Sequence, residues 1–301
     1  MTLVSARSSR RLAPRICAAL ALLGSAVPLH AGGNVTVRVD RGGNLLVEGD
    51  REANAIEIHP YDIGAGTVTG VGSTLVNGAK SAEFTGASGD FRFWMRGGDD
   101  RVVVSDGDGN HVLGDLEVDL GPGNDSLLVQ NFFVHDDLEV RGNSGDDTIE
   151  LADTVFVLGR ADIRTSAGDD RVVFRPAAFF DPLVIVFERD FEVRTGPGRD
   201  FVHLAGARFQ RGVEVNLGHD DDLGELGGVQ GGVSVCGCAF DDPDVLSHVR
   251  FRGGAGNDGA VLESVCGLAP PGLVQDFLRD FEDFPDDASF LGGEACARSC
   301  P

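Results

Sequence analysis

The chain has 301 residues, 43 of them Gly, and its 48 acidic side chains against 25 basic ones give a net charge of −23. That balance excludes nucleic acid and anionic membranes as electrostatic partners, and suits divalent cations or simple solubility. Apolar residues make up 42 %, enough for a core, so the abundant glycine marks recurring tight turns and not disorder.

The first element is a targeting segment. Arg7, Arg10, Arg11 and Arg15 precede an apolar run from Ile16 to Val27, and no acid appears before Asp40. A basic start followed by a short apolar stretch predicts a secretory signal peptide over residues 1–31, cleaved after Ala31 or Ala26. Its removal takes away four Arg and no acid, which moves the charge from −23 to −27. The mature chain is expected to be secreted, periplasmic or on the cell surface, and no later stretch is apolar enough to span a membrane. Cys236, Cys238, Cys266, Cys296 and Cys300 remain. An exported chain can oxidise them, but an odd count leaves one over, and spacing does not give the pairing.

From residue 45 onward the chain repeats. With Asp100, Asp125, Asp147, Asp170, Asp200, Asp222 and Asp258 as anchors, an apolar residue stands nine places before each: Phe91, Leu116, Leu138, Ala161, Phe191, Val213 and Val249. Another stands seven places before: Phe93, Val118, Val140, Ile163, Val193, Val215 and Phe251. The residue between them is always charged, which is the period-2 alternation of a half-buried strand. Glycine lies two places before six of the anchors, with Asp220 the exception. A second alternating strand follows the anchor, as in 147–151 and 170–174, and a third apolar segment closes several units, as at 132–134 and 155–157.

The anchors are spaced 25, 22, 23, 30, 22 and 36 residues apart. Strands at such a period predict an all-β fold, a parallel β-helix (β-solenoid) of about ten coils of ~22 residues, over residues 32–263. Leu45 and Val47 open it before Asn54, a weaker coil is expected over 68–90, and a degraded one at Val233 and Val235 before Asp242. The long unit places a bulging loop over 176–187. A β-sandwich of hairpins is the competing architecture, but it does not require the same residue types at the same offsets. Val274, Phe277, Leu278 and Phe281 fall at helical spacing, which predicts a short helical, cysteine-containing cap over 264–301 that covers the last strand edge.

The turns 121–125 (Gly-Pro-Gly-Asn-Asp), 142–147 (Gly-Asn-Ser-Gly-Asp-Asp) and 253–258 (Gly-Gly-Ala-Gly-Asn-Asp) resemble the calcium-binding nonapeptide repeats of secreted RTX (hemolysin-type) proteins. That resemblance implies Ca²⁺ held by the aspartates and loop carbonyls. The leader, the opening Asn44-Leu45-Leu46-Val47-Glu48-Gly49-Asp50 and the Gly-Asp-Asp turns are also similar to uncharacterised exported β-helix proteins of environmental bacteria, a resemblance that implies no defined activity.

The anchor aspartates are therefore the candidate metal ligands. Carboxylates one strand apart repel by about 0.8 kcal/mol per pair in water, and Ca²⁺, which takes oxygen ligands only, would remove that cost. The competing reading is that Asp and Asn simply cap the backbone N–H groups of the turn. His219-Asp220-Asp221-Asp222 is the densest polar cluster, read as an irregular turn or a metal site. No histidine spacing or Ser-His-Asp pattern marks a catalytic centre. The function expected is that of a non-catalytic exported β-helix with a structural or binding role, its partners divalent cations or an extracellular glycan or protein. The alternative is a carbohydrate-active β-helix enzyme, a polysaccharide lyase or hydrolase.

Overall fold

The computed structural model describes residues 32–105, 111–112, 114–176 and 185–226, then 229–230, 233–234, 239–240, 249–253, 255, 259–266, 278–279 and 289–291. The leader and Asp258 lie outside the described residues, as do all the cysteines but Cys266. Every element among the described residues is β, in two large, mostly parallel open sheets and one small antiparallel pair.

The first sheet is built from the segment before each anchor. Leu45–Glu48, Phe91–Trp94, Leu116–Asp119, Leu138–Ser144, Ala161–Ala167, Phe191–Pro197, Val213–His219 and Val249–Arg252 lie side by side and parallel. Their register is the one the sequence offsets demand: Leu45 opposite Phe91, then Leu116, Leu138, Ala161, Phe191, Val213 and Val249 in turn. The positions nine and seven before the anchor point inward, and the charged residue between them faces solvent, because a pleated strand sends successive side chains to opposite faces.

The second sheet begins one residue after each anchor. Ala55, Arg101, Ser126, Thr148, Arg171, Phe201, Leu223 and Gly259 pair in sequence, each on a parallel strand. The third apolar segments, 132–134, 155–157, Ile185–Phe187 and Ala207–Phe209, continue it in register. The insertion of the long repeat is thus narrower than 176–187, since Ile185–Phe187 is back in register. Like stacks on like inside: Phe187 lies 5.4 Å from Phe209 and 5.6 Å from Phe174, ring centre to ring centre, and all three are fully buried.

Three expectations need correction. Residues 68–90 do not form a further parallel unit. Ala65–Gly70 runs antiparallel to Ala55–Asp62, and Ser81–Thr85 antiparallel to Ala65–Gly70. Leu45 meets Phe91 directly, so the first sheet counts eight repeat strands among the described residues, with Leu278–Arg279 beside the last. The physical cause is the tight turn at Gly64 (φ +71°), which reverses the chain and lets the same alternation serve a hairpin. At the degraded unit, Val233–Ser234 pairs antiparallel with Val229–Gln230, while Val213 pairs straight with Val249. Val235 and Asp242 lie outside the described residues. Finally, Leu278, expected on a helical face, is in a strand, with Leu278 opposite Phe251 and Arg279 opposite Arg252. An apolar pair of this kind adds an edge strand more readily than it nucleates a helix. Val274, Phe277 and Phe281 lie outside the described residues.

At the other end, Asn34–Val39 turns back through Asp40 and pairs antiparallel with Leu45–Glu48. Asp40 holds that turn, its carboxylate accepting the N–H of Gly42 at 2.8 Å and of Asn44 at 2.9 Å. These hydrogen bonds to Asn44 and Gly42 favour its charged form and hold its pKa below the usual carboxylate value.

Candidate functional site

The anchor turn joins the two sheets, and its chemistry follows from how closely the repeats stack. Two places before each anchor from Asp100 to Asp222 the backbone has positive φ, from +86° at Asp220 to +155° at Gly123. A Cβ on Gly145 would lie 1.9 Å from the Gly123 carbonyl oxygen, so glycine is required there by contact as well as by conformation. Asp220 adopts φ +86° at the same place, and its N–H is held by the Ala255 carbonyl at 2.8 Å. It is a strained turn residue, and the His219–Asp222 cluster is an ordinary member of the repeat.

Two ladders of hydrogen bonds tie each turn to its neighbours, and they run in opposite senses. In the inner ladder the N–H of one anchor donates to the carboxyl Oδ1 of the next: Asn54 to Asp100 at 2.6 Å, Asp100 to Asp125 at 2.7 Å, Asp125 to Asp147 at 2.9 Å. It continues from Asp147 to Asp170, Asp170 to Asp200 and Asp200 to Asp222 at 2.8–2.9 Å. In the outer ladder, one residue earlier, the N–H donates backwards: Asn124 to Asp99, Asp146 to Asn124, Asp169 to Asp146 and Arg199 to Asp169, each at 2.9 Å. Asn124 takes part as well as Asp does, so the outer ladder needs an acceptor and not a charge.

The inner carboxyls are deeply buried. Asp100, Asp125, Asp147, Asp170, Asp200 and Asp222 are between 0 and 4 % exposed, and Oδ2 of all six has no hydrogen-bond partner. In Asp147 that oxygen occupies the space where Gly142 lacks a side chain. Burial, which disfavours the charged form, pushes Asp100 and Asp147 up to about 7, Asp125 to about 8 and Asp200 to about 6. Asp170 is raised for the same reason. Nearby hydroxyls of Thr165 and Thr195 offset burial in part at Asp170 and Asp200. Each hydroxyl has a single proton, however, and these donate to the Thr195 carbonyl at 3.4 Å and the Leu217 carbonyl at 2.6 Å.

A calcium ion would need six or more oxygens converging on one point. Each anchor has committed Oδ1 to an N–H and turned Oδ2 inward. Among the described residues, no group of three or more His, Cys, Asp or Glu converges as a metal shell.

A third ladder was not anticipated from the sequence. At the corner before each first-sheet strand, Asp90 N–H donates to Asn44 Oδ1 at 3.0 Å, Asp115 to Asp90 at 3.0 Å, and Asp137 to Asp115 at 2.9 Å. Arg160 then donates its N–H to Asp137 at 2.7 Å, and Gly212 to Asp190 at 3.3 Å. The signal was present ten places before the anchor, where Asn44, Asp90, Asp115, Asp137 and Asp190 stand and Arg160, Gly212 and His248 depart.

The solvent face of the first sheet is a row of acids beside a row of arginines. Arg141 pairs with Glu139, Arg164 with Asp162 and Arg194 with Glu192, each within one strand. Arg92 bridges Asp90 at 2.7 Å and Glu117 at 3.5 Å. Such exposed pairs stabilise by ~0–1 kcal/mol each and mainly keep like charges apart. Around Arg160 the surface becomes concave, with adjoining spaces of about 340 and 500 Å³. No family model, curated protein or solved structure matches the chain.

Proposed function

We propose that the chain is a parallel β-helix, exported behind the leader at residues 1–31, that acts as a non-catalytic structural or binding rod at or outside the cell surface. Support for the solenoid comes from three strand positions recurring in the same order in the repeats that open at Phe91, Leu116, Leu138, Ala161, Phe191 and Val213, and pairing with their own equivalents. Eight repeats at ~4.8 Å give a rod of about 40 Å.

One observation carries the non-catalytic reading. The carboxyls with the most strongly raised pKa values, the first place to seek a general acid, are those of the inner ladder. At 0–4 % exposure and hydrogen-bonded to main chain, they cannot reach a substrate. Their burial serves the stacking of repeats. Incubation of residues 32–301 with a panel of plant, algal and bacterial polysaccharides should release neither reducing ends nor unsaturated sugars. Release of either would establish the alternative, a lyase or hydrolase.

The unpartnered Oδ2 column supports protons as its occupants better than Ca²⁺, because a neutral carboxylic acid needs no converging shell of oxygens. Thermal unfolding in EDTA and across a calcium titration separates the two. The melting temperature should stay constant under the proton reading, whereas a saturable rise with calcium and none with magnesium would establish ion-linked turns.

A further inference from the structure

The corner around Arg160 breaks the repeat, and the break has a chemical consistency of its own. Phe187 lies opposite Val157 and Phe209 opposite Phe187. This register puts Gly159, Arg189 and Arg211 at equivalent places on successive repeats, with Asp136 one repeat before. Arg160 takes the next place, which is Asp in the neighbouring repeats at Asp137 and Asp190. One side chain is missing beside the concavity, at Gly159, where a Cβ would lie 2.3 Å from the Asp136 carbonyl oxygen.

The charges here are used unequally. Asp137 and Asp190 are committed to the corner ladder through the N–H groups of Arg160 and Gly212. Arg160, Arg189 and Arg211 are all exposed, line the same space of about 500 Å³, and none is in an ion pair among the described residues. The arginines of the first-sheet face, by contrast, are paired with acids. Among the described residues, a chain of net charge −23 therefore keeps three unpaired guanidinium groups on three successive repeats, roughly 5 Å apart along the stack.

An aromatic surface adjoins them. His135, in the wall of the same space, packs on Phe133 at 4.8 Å between ring centres, and Phe133 stacks on Phe156 at 5.7 Å. Both phenylalanines occupy the outward positions of their strands and are half-buried. Guanidinium forks suit carboxylates, flat rings suit the C–H faces of sugars, and the carboxylates of Asp136 and Glu188 in the wall suit hydroxyl donors. A nucleic acid would use the first two of these but offers far fewer hydroxyl donors for the third.

We propose that this corner is a binding site for a linear uronate glycan. The chain would lie along the stack, with carboxylates on Arg160, Arg189 and Arg211 and a sugar face against His135 and Phe133. The proposal rests on the rod reading above and names its ligand class.

The test is calorimetric titration of residues 32–301, in EDTA, with oligogalacturonates and with neutral oligosaccharides of equal length. Variant R160A/R189A/R211A is compared with R38A/R51A/R96A, which removes as many exposed arginines elsewhere. Binding of the uronate alone, weakened by salt and by about tenfold or more in the first variant but not the second, is the expected result. Equal affinity for neutral chains, equal loss in both variants, or no binding by protein with an intact β spectrum would each overturn the site and leave the rod reading standing. A sulfated glycan or an acidic peptide bound at least as well as the uronate would overturn the ligand class. Cleavage of the bound oligomer would confirm the site while overturning the non-catalytic reading.

Discussion

The inner ladder should make the pH dependence of stability run opposite to that of most proteins. Asp125 has its pKa raised by burial from 3.8 to about 8. Between those values the folded protein keeps the proton that the unfolded chain releases. The unfolded state then binds fewer protons, so stability falls as pH rises, by about 1.4 kcal/mol per unit for each such group. Asp125 alone should contribute ~6 kcal/mol that is fully present below pH 3.8 and gone above about pH 8. Asp100 and Asp147, at about 7, act in the same window, and Asp200 acts up to about 6. Asp125→Asn isolates the effect. An Asn Oδ1 accepts the Asp100 N–H as the Asp does, and the amide has no proton to lose. Urea unfolding followed by circular dichroism should find the variant within ~1 kcal/mol of wild type near pH 4 and several kcal/mol more stable near pH 8. A variant less stable than wild type at pH 8, or wild-type stability that rises from pH 4 to 8, would refute the buried neutral acid and point to an ionised carboxylate with a cation beside it.

Other substitutions probe the packing that holds the ladders. Gly145→Ala puts a Cβ 1.9 Å from the Gly123 oxygen at φ +123° and should cost ~3 kcal/mol or more, read as a drop in the urea midpoint. Asp220→Gly relieves the one non-glycine among these turn positions and should stabilise by ~1 kcal/mol in the same assay. Phe187→Ala removes a ring in contact with Phe174, Phe191 and Phe209 and should cost ~3–5 kcal/mol by urea or thermal unfolding.

The parts of the fold legible in the sequence were those where a residue meets its own equivalent. Phe91, Leu116 and Leu138 stack because parallel strands at a fixed period bring the same offset together, so one-dimensional spacing carries three-dimensional register. The anchors were legible as turn aspartates for the same reason. What spacing does not carry is direction. Strict alternation over 55–70 is equally compatible with a hairpin, and Gly64 decides between the two through a reversal that a count of apolar residues misses. Nor does it carry the facing of a carboxyl. The aspartates look alike in sequence at positions 99 and 100, yet one sits in the outer ladder and the other is buried with an unpartnered oxygen. The concave corner was overlooked because its marks are departures from the repeat: no side chain at Gly159 and an arginine at 160 where the neighbouring repeats have aspartate.

Asn54 shows how the ladder ends. As the first anchor it has no earlier anchor N–H to accept, so a carboxylate there would be buried with neither oxygen engaged. An amide solves the problem: Nδ2 donates to the Glu52 carbonyl at 2.5 Å and to Asp50 Oδ1 at 3.2 Å, and Oδ1 is covered by Gly33. Asp50 in turn accepts the N–H of Asn34 at 2.7 Å, which holds the N-terminal strand over the first repeat. Asn54→Asp would set two carboxyls where one now accepts from an amide. At pH 7 this should cost ~3 kcal/mol and loosen residues 32–39, seen as faster amide exchange confined to that strand. Near pH 4 the added acid is neutral and most of the loss should vanish. A pH-independent loss would instead assign the role of Asn54 to its donor alone. The anchor column would then be ordered by hydrogen-bond geometry from its first member, and charge would enter only where Asp replaces Asn.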